Sequence, residues 1–392
     1  MQVFRTRVSC PVQPIHLLFF ACIHLIFIGF MNLEATQALK LAYNLLPYAE
    51  SSYSLGKLLC TLVYLKAWSD SYLTQSIILQ VQGQSPDQIA ATLAQRGFLV
   101  MQAASSFSAC QATTPDKTSA AITDALRQLV HDNPHMVNAL EPLYFGFLNG
   151  LYRTLNADPA SLSRVVSAIN GVSFENPVPS MASGAEFTDV IATVSCYDNP
   201  NAWDAAPLIA SLLAPKPNEM AVDLSCGQGH LLWALAAELA RTQPDARLTV
   251  LGMEDNVHQW RIAKLLFSLS GLLDATLLQY NALRATCFPE KEASQALPLG
   301  RAEMVVLALP AQASSWHHEL AHQAGAGYFP ARPPGDRCLA LIWLSLTALQ
   351  HDTGRLAVLT PLKLLSGHEG YALRKHLVDM NLLDAVISIP GI

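Results

Sequence analysis

The chain has 392 residues, 51% hydrophobic and 14% charged, with a formal net charge of −6 and a pI near 6.0. That length suggests two or three domains. The charged fraction lies well below the roughly 25% usual for soluble proteins, so some surface meets a partner or a membrane, or selection for solubility is relaxed. The acidic balance and the lack of a Lys/Arg run argue against a chain that grips DNA alone through a basic face; DNA binding would need another subunit.

Eight cysteines lie scattered at Cys10, Cys22, Cys60, Cys110, Cys196, Cys226, Cys287 and Cys338. No CxxC or Cys/His pair has the spacing of a zinc site, and the adjacent His317 and His318 would diverge on a helix. The pattern reads as buried, reduced thiols of a cytosolic protein, with no metal site expected.

In chain order, the first feature is the apolar run Leu17 to Phe30 (LLFFACIHLIFIGF) behind Arg5 and Arg7. It is shorter than the roughly 18 residues of a spanning helix, and no A-x-A cleavage site follows it. A signal-peptide core, a short membrane anchor and a translated upstream extension all fit. The last is preferred, because Met31-Asn-Leu-Glu begins an ordinary amphipathic helix. A cytoplasmic location follows, with membrane contact only if residues 17–30 are retained.

From 31 to 171 the pattern predicts a helical domain. Leu33, Ala38, Leu41, Leu45 and Leu46 make one apolar face, and Leu55 to Trp68 another at 3.6-residue spacing. Breakers fall at Gly83-Gln-Ser-Pro86 and Thr113-Thr-Pro115. Asp158-Pro159 opens a further helix, with Asp158 as N-cap and Pro159 at the first helical position, ending near Gly171. Residues 172–200, rich in Pro, Ser, Gly and Asn, read as a linker or long loop.

Residues 201–392 read as a separate α/β domain. Strands are predicted at Met220–Leu224, Leu248–Leu251, Thr276–Gln279, Met304–Leu307, Leu356–Leu359 and Ala385–Ile389. Helices at His230–Arg241, Val257–Leu269, Leu339–Gln350 and Tyr371–Asp379 separate most of them. Such alternation argues for a parallel sheet with helices on both faces.

The chemistry-bearing stretch is EMAVDLSCGQGHLL, from Glu219 to Leu232. Asp223 ends the first strand, where ligands bind in open α/β sheets. Ser225, Cys226, Gly227 and Gly229 form the turn. Its glycines permit positive φ and close approach of a ligand, and the helix from His230 aims free N–H groups at the same point. Glu254 follows the second strand, where an acid accepts hydrogen bonds from both ribose hydroxyls. Glu254 lies 31 residues beyond Asp223, and the turn lacks the third glycine of GxGxxG. Both points favour S-adenosylmethionine over NAD. The plain alternative is a tight strand–helix turn with a capping acid.

DLSCGQGHLL resembles the D-P-x-C-G-S-G-G-L-L signature of N6-adenine DNA methyltransferases, in particular the modification subunit of type I restriction–modification systems. GMEDNVHQWRIAKLLFSLSG is similar to that family's G-Q-E-x-N-x-x-x-x-x-L-A-x-M-N-L-x-x-x-G. GRLAVLTPLKLLSGHEGYALRKHLVDMNLLDAVISIPGI is similar to its G-R-x-A-V-V-L-P-x-G-V-L-F-x-G-x-x-E-x-x-I-R-x-x-L-x-x-x-x-L-L-x-A-V-I-x-L-P. YSLGKLLCTLVYLKAWSD resembles its helical-domain V-x-L-G-L-x-F-L-K-Y-x-S-D.

The resemblance implies a helical N-terminal domain followed by a class I S-adenosylmethionine-dependent methyltransferase domain, a Rossmann-like doubly wound sheet. It also implies partners: DNA reached through a specificity subunit, and a restriction subunit. The family's catalytic N-P-P-F motif binds a flipped adenine, its Asn accepting the amine's hydrogens and its aromatic ring stacking on the base. Here the motif aligns with Leu309-Pro310-Ala311-Gln312, so Leu309 carries no acceptor, Pro310 is kept, and Gln312 replaces the ring.

Other positions also depart from the family. Asn281 stands where an Asp holds the cofactor's adenine. Leu224, Gln228 and His230 replace Pro, Ser and Gly in the turn, and the resemblance implies that a side chain at His230 crowds the cofactor's methionine moiety. The family's seventh strand, antiparallel between the fifth and sixth, and its C-terminal docking helices are not seen before Ile392, so the sheet is expected to lack its last strand and to leave a slot open.

Three functions follow as expectations. The first is a degenerate relative that binds S-adenosylmethionine and methylates weakly or not at all. The second is an active adenine-N6 enzyme with a divergent pocket. The third is a non-enzymatic scaffold or membrane-tethered interaction protein.

Overall fold

A computed structural model describes residues 3–4, 16–21, 33–45, 52–134, 159–174, 176–193, 200–287, 297–309, 316, 318, 328–329 and 333–389. The chain divides into two compact units. One comprises Met1–Phe27, Asp198–Trp260 and Asp274–Ile392; the other comprises Ile28–Tyr197 and Arg261–Leu273.

The first unit is built on an eight-stranded sheet. In chain order its strands are β1 (Val3–Phe4), β2 (His16–Ala21), β3 (Met220–Asp223), β4 (Thr249–Glu254), β5 (Thr276–Gln279), β6 (Met304–Ala308), β7 (Arg355–Leu359) and β8 (Leu383–Ser388). Their order across the sheet is β1-β8-β2-β7-β6-β3-β4-β5. All pairings are parallel except β1 with β8. The predicted strands all form, with small shifts at their ends. The second predicted strand runs on to Glu254, so this acid is the last residue of β4 rather than a residue beyond it.

The strands form because their residues suit a sheet covered on both faces. Met304–Ala308 (MVVLA) and Arg355–Leu359 (RLAVL) are short apolar runs rather than alternating ones, and nearly every residue in them is buried. The core of this unit gathers Val222, Met253, Val305, Leu307, Leu356 and Val358 from the strands with Leu341, Ile342 and Leu344 from the helix Arg337–Ala348. That helix starts two residues before the predicted Leu339, because Asp336 caps it by accepting the Leu339 N–H at 3.0 Å.

The slot expected to stand open between the fifth and sixth strands of the α/β pattern is filled. The occupant is β2, from the N-terminal apolar run, and it is parallel rather than antiparallel to both neighbours. The remainder of that run, residues 22–30, lies outside the described residues.

The second unit is helical. Its longest helix, Ser52–Val81, is buried at nearly every position from Leu58 to Trp68, so it is a core helix rather than one with a single apolar face. Among the described side chains of Leu33–Asn44, Leu39 and Ala42 are buried, and Leu41, expected on the inner face, is exposed. The breaker at Gly83 and Pro86 acts as predicted. Gly83 has φ +87°, and Ser85 caps Pro86–Gln95 in a capping box with Gln88. Residues 172–200, read as a loop, contain the helix Met181–Thr193. Pro159–Asn170 stops next to Gly171 as expected, while Asp158 lies outside the described residues.

Two buried polar contacts tie this unit together. The Tyr64 hydroxyl bonds Ser268 Oγ at 2.9 Å. Asn133 satisfies both backbone groups of Val100, donating to its carbonyl at 2.8 Å and accepting its N–H at 2.6 Å. Cys60, Cys110, Cys226 and Cys338 are buried and unbridged. No helix among the described residues is long and apolar enough to cross a membrane.

Candidate cofactor site at the ends of the central strands

Strand β3 lies inside the parallel sheet, between β6 and β4. Its connection leads through the glycine turn to β4 on one side, and the chain later returns to β6 on the other. Such a reversal of strand order opens a crevice at the carboxyl ends of the strands, and the predicted cofactor residues converge on it.

Asp223 ends β3 and is buried, its Oδ1 accepting the Ser225 N–H at 2.9 Å. The Cys226 N–H donates to the Met253 carbonyl at 2.8 Å, which ties the turn to β4. Gly227 and Gly229 both take left-handed backbone, at φ +55° and +80°, a region costly for residues with a Cβ. A Cβ on Gly227 would meet nothing within 4 Å, so the turn faces open space there. Gly229 then caps the helix His230–Thr242.

Glu254 completes the frame. Its Oε2 accepts the Gly227 N–H at 2.8 Å, and its Oε1 accepts the Asn256 N–H at 2.7 Å. One carboxylate thus joins the turn after β3 to the loop after β4. An ionised carboxylate offers about four acceptor positions, so Glu254 keeps capacity for further donors such as paired hydroxyls.

Burial dominates the electrostatics. It pushes the Asp223 carboxyl up to about 8, aided by the nearby charge of Glu254 and opposed by the Ser225 N–H. Burial also raises Glu254, against the two N–H groups it accepts, and drives the Cys226 thiol well up, leaving it an inert, protonated group. Burial lowers His230 to about 3, so its imidazole is neutral at the first position of the helix.

Asn281 lies two residues beyond β5 and spends both ends of its amide on the protein. Its Oδ1 accepts the Leu283 N–H at 3.0 Å and the Arg284 N–H at 3.3 Å, capping a short helix, and its Nδ2 donates to Asp255 Oδ2 at 2.8 Å. Arg337 reaches the same Asp255 oxygen at 3.2 Å. Sequence reasoning missed Asp255 and Arg337. Asp255 was visible as the neighbour of Glu254, whereas nothing near Arg337 marked it.

Gly252 was also missed. A Cβ there would lie 2.6 Å from Leu277 Cδ2, 3.0 Å from Cys226 Sγ and 3.1 Å from Leu232 Cδ1. A glycine inside a strand pattern is a signal of such close approach.

Leu309 follows β6 and is buried, its N–H donating to the Leu359 carbonyl at 2.9 Å. Its side chain belongs to the apolar cluster that includes Tyr328, Phe329 and Leu339. Pro310 and Gln312 lie outside the described residues. Among the described residues no group of three or more His, Cys, Asp or Glu is placed to hold a metal ion.

Residues 204–392, which carry this crevice, match the family model described as N-6 DNA Methylase. This part of the chain is similar to the N-6 DNA methylases. No curated protein matches the chain.

Among solved structures, the chain is similar to the methyltransferase subunit of the type I restriction–modification system from Streptococcus thermophilus. The identity is 16%, 89% of this chain and 79% of that chain are covered, and the TM-score is 0.66. It also matches a modification subunit of a putative type I restriction enzyme from Vibrio vulnificus, at 14% identity, 89% and 76% coverage and a TM-score of 0.49. A third match is a putative class I S-adenosylmethionine-dependent methyltransferase from Listeria monocytogenes, at 13% identity, 66% and 79% coverage and a TM-score of 0.44. The first likeness shows a shared fold. In this chain the shared parallel sheet carries its glycine turn after β3, between β6 and β4.

Proposed function

We propose that the chain is a relative of the type I modification subunit that binds S-adenosylmethionine in the crevice above β3 and β4, and that it transfers methyl groups weakly or not at all. The observation that carries this reading is Leu309: buried, aliphatic, and placed after β6 where the family resemblance puts a catalytic Asn.

The residues fit the cofactor. Gly227 leaves open space at the turn, and Glu254 retains acceptor capacity at the end of β4. Glu254 would hold the ribose hydroxyls, and the turn from Ser225 to Gly229 would lie under the methionine moiety. Asn281 is committed to Asp255 and to its own helix, so it would contribute a position on the adenine side rather than a spare acceptor. When bound, S-adenosylmethionine supplies an electrophilic methyl group.

Methyl transfer to an exocyclic amine needs an acceptor that draws the amine's hydrogens aside and frees its lone pair. The Leu309 side chain has no such atom, and its backbone N–H is spent on Leu359. Loss of one polar transition-state contact costs about 100- to 1,000-fold in rate. The resemblance also replaces the base-stacking ring with Gln312, which weakens capture of a flipped base. DNA would be reached through a separate specificity subunit, in keeping with a chain of net charge −6.

Two measurements test this. Titration calorimetry with S-adenosylmethionine should show binding, and Glu254→Ala should weaken it by at least about tenfold, the lower end for a lost charged hydrogen bond. An absence of heat at millimolar ligand would overturn the cofactor assignment. Tritiated methyl transfer to unmethylated DNA, with and without a specificity subunit, should be weak. Robust transfer that survives Leu309→Ala would favour an active enzyme with a divergent pocket, a reading supported by Asp223, Gly227, Gly229 and Glu254.

A further inference from the structure

Strand β2 comes from the most apolar stretch of the chain, yet the sheet takes it up between β7 and β8 rather than at an edge. Its pairing is two-sided. Leu18 stands opposite Ala357 of β7 and Ala385 of β8, Phe19 opposite Val358 and Val386, and Phe20 opposite Leu359 and Ile387. In a strand with a neighbour on each side, every amide faces a partner backbone. A strand in a parallel sheet covered on both faces reads as a continuous apolar run, and His16–Ala21 reads HLLFFA.

Strand β8 depends on this arrangement. Its ladder partners among the described residues are β2 and the two-residue β1. Without β2, β8 would have no link to the parallel sheet, and β7 would present an unpaired edge.

We propose that residues 16–21 are a built-in complementing strand: the groove between β7 and β8 is a strand-binding site, and this chain's own N-terminal segment occupies it. The segment's apolar character is then that of an inner strand, and β8 is held in the sheet through it. The effect reaches the crevice, because β7 also supports Leu309 through the Leu359 carbonyl. The proposal is independent of whether the chain binds S-adenosylmethionine.

Hydrogen exchange read by mass spectrometry on the full chain tests it. The amides of residues 17–21 should exchange at least about 1,000-fold more slowly than in a free peptide of the same sequence, a factor within the folded-to-unfolded ratios of stable domains. They should do so in step with residues 356–359. Exchange at the free-peptide rate while 356–359 stay protected would overturn the proposal.

Phe19→Pro in the full chain removes a ladder donor that an inner strand requires, and Phe19→Leu keeps it. The proline variant should lose about 100-fold of protection in β7 and β8 while β3 and β4 keep theirs; unchanged protection in β7 and β8 would overturn the proposal. If the proline variant does not fold, it is refolded with a peptide of residues 14–23. Recovery of protected β7 and β8 supports the proposal, and failure to recover them refutes it.

Discussion

Gly252→Ala tests how the crevice is held together. Gly252 lies in β4, directly behind the glycine turn, and an added methyl would stand 2.6, 3.0 and 3.1 Å from Leu277, Cys226 and Leu232. Ordinary contacts begin near 3.4 Å, so three neighbours must give way by a few tenths of an ångström to almost one. The Leu277 and Leu232 contacts are side-chain ends that can rotate. Cys226 has little freedom, because its N–H is bonded to Met253 in the turn itself.

Overpacking of this kind costs about 1–3 kcal/mol. At about 2–4 °C per kcal/mol for a domain of this size, the melting temperature should fall by about 2–12 °C, read by scanning calorimetry. Affinity for S-adenosylmethionine should fall as well, by up to about 100-fold if most of the strain is carried by the turn. A variant that melts within about 1 °C of the parent and binds the cofactor equally well would refute the argument that Gly252 is required for the turn to seat on β4.

Further outcomes follow from other sites. Burial raises the Asp223 carboxyl to about 8, above its unfolded value of about 4; the folded state therefore binds the extra proton between those limits, and this group's contribution to stability declines as pH rises through the window. Asp223→Asn should flatten that decline and raise the melting temperature most at pH 8, and a pH profile parallel to the parent's would refute it. Arg355 bonds Glu219 at 2.6 Å, joining the starts of β7 and β3, with both side chains about 15% exposed. Arg355→Met should destabilise by about 1–3 kcal/mol by leaving the half-buried carboxylate with the Lys216 N–H but no cation, and adding Glu219→Gln should recover part of the loss, as chemical denaturation would show. In the helical unit, Asn133→Ala leaves the Val100 N–H and carbonyl without their partners. Urea unfolding should show a loss of about 2–4 kcal/mol; a loss under about 0.5 kcal/mol, the range of neutral surface changes, would mean that water replaces the amide.

The α/β part was legible because each strand is a short apolar run bounded by polar or glycine residues, and each helix carries its own period. Met304–Ala308 and Val257–Leu269 could be placed from the residues alone. The meeting of Asp223, Gly227, Gly229 and Glu254 at the strand ends was equally legible, since an acid closing a strand and glycines in the next turn fix a tight strand–helix corner whether or not it holds a ligand. The N-terminal run was not, because a continuous apolar segment has no period: an inner strand, a signal core and an anchor look alike. Leu41 was misplaced because the helix Leu33–Asn44 offers apolar residues on more than one face, and packing selected Leu39 and Ala42. Met181–Thr193 escaped notice because Pro, Ser and Gly around it signal a loop.

The pairing of β2 sets a timetable for the newborn chain. Phe19 meets Val358 only after more than 300 further residues have been made. At about 5–20 residues per second, that interval lasts roughly 15–70 s, during which an uncharged apolar strand waits without its partners. Contacts so distant in sequence slow folding. The chain should therefore depend on chaperones during synthesis and reach its native sheet only once the ribosome has delivered β7 and β8.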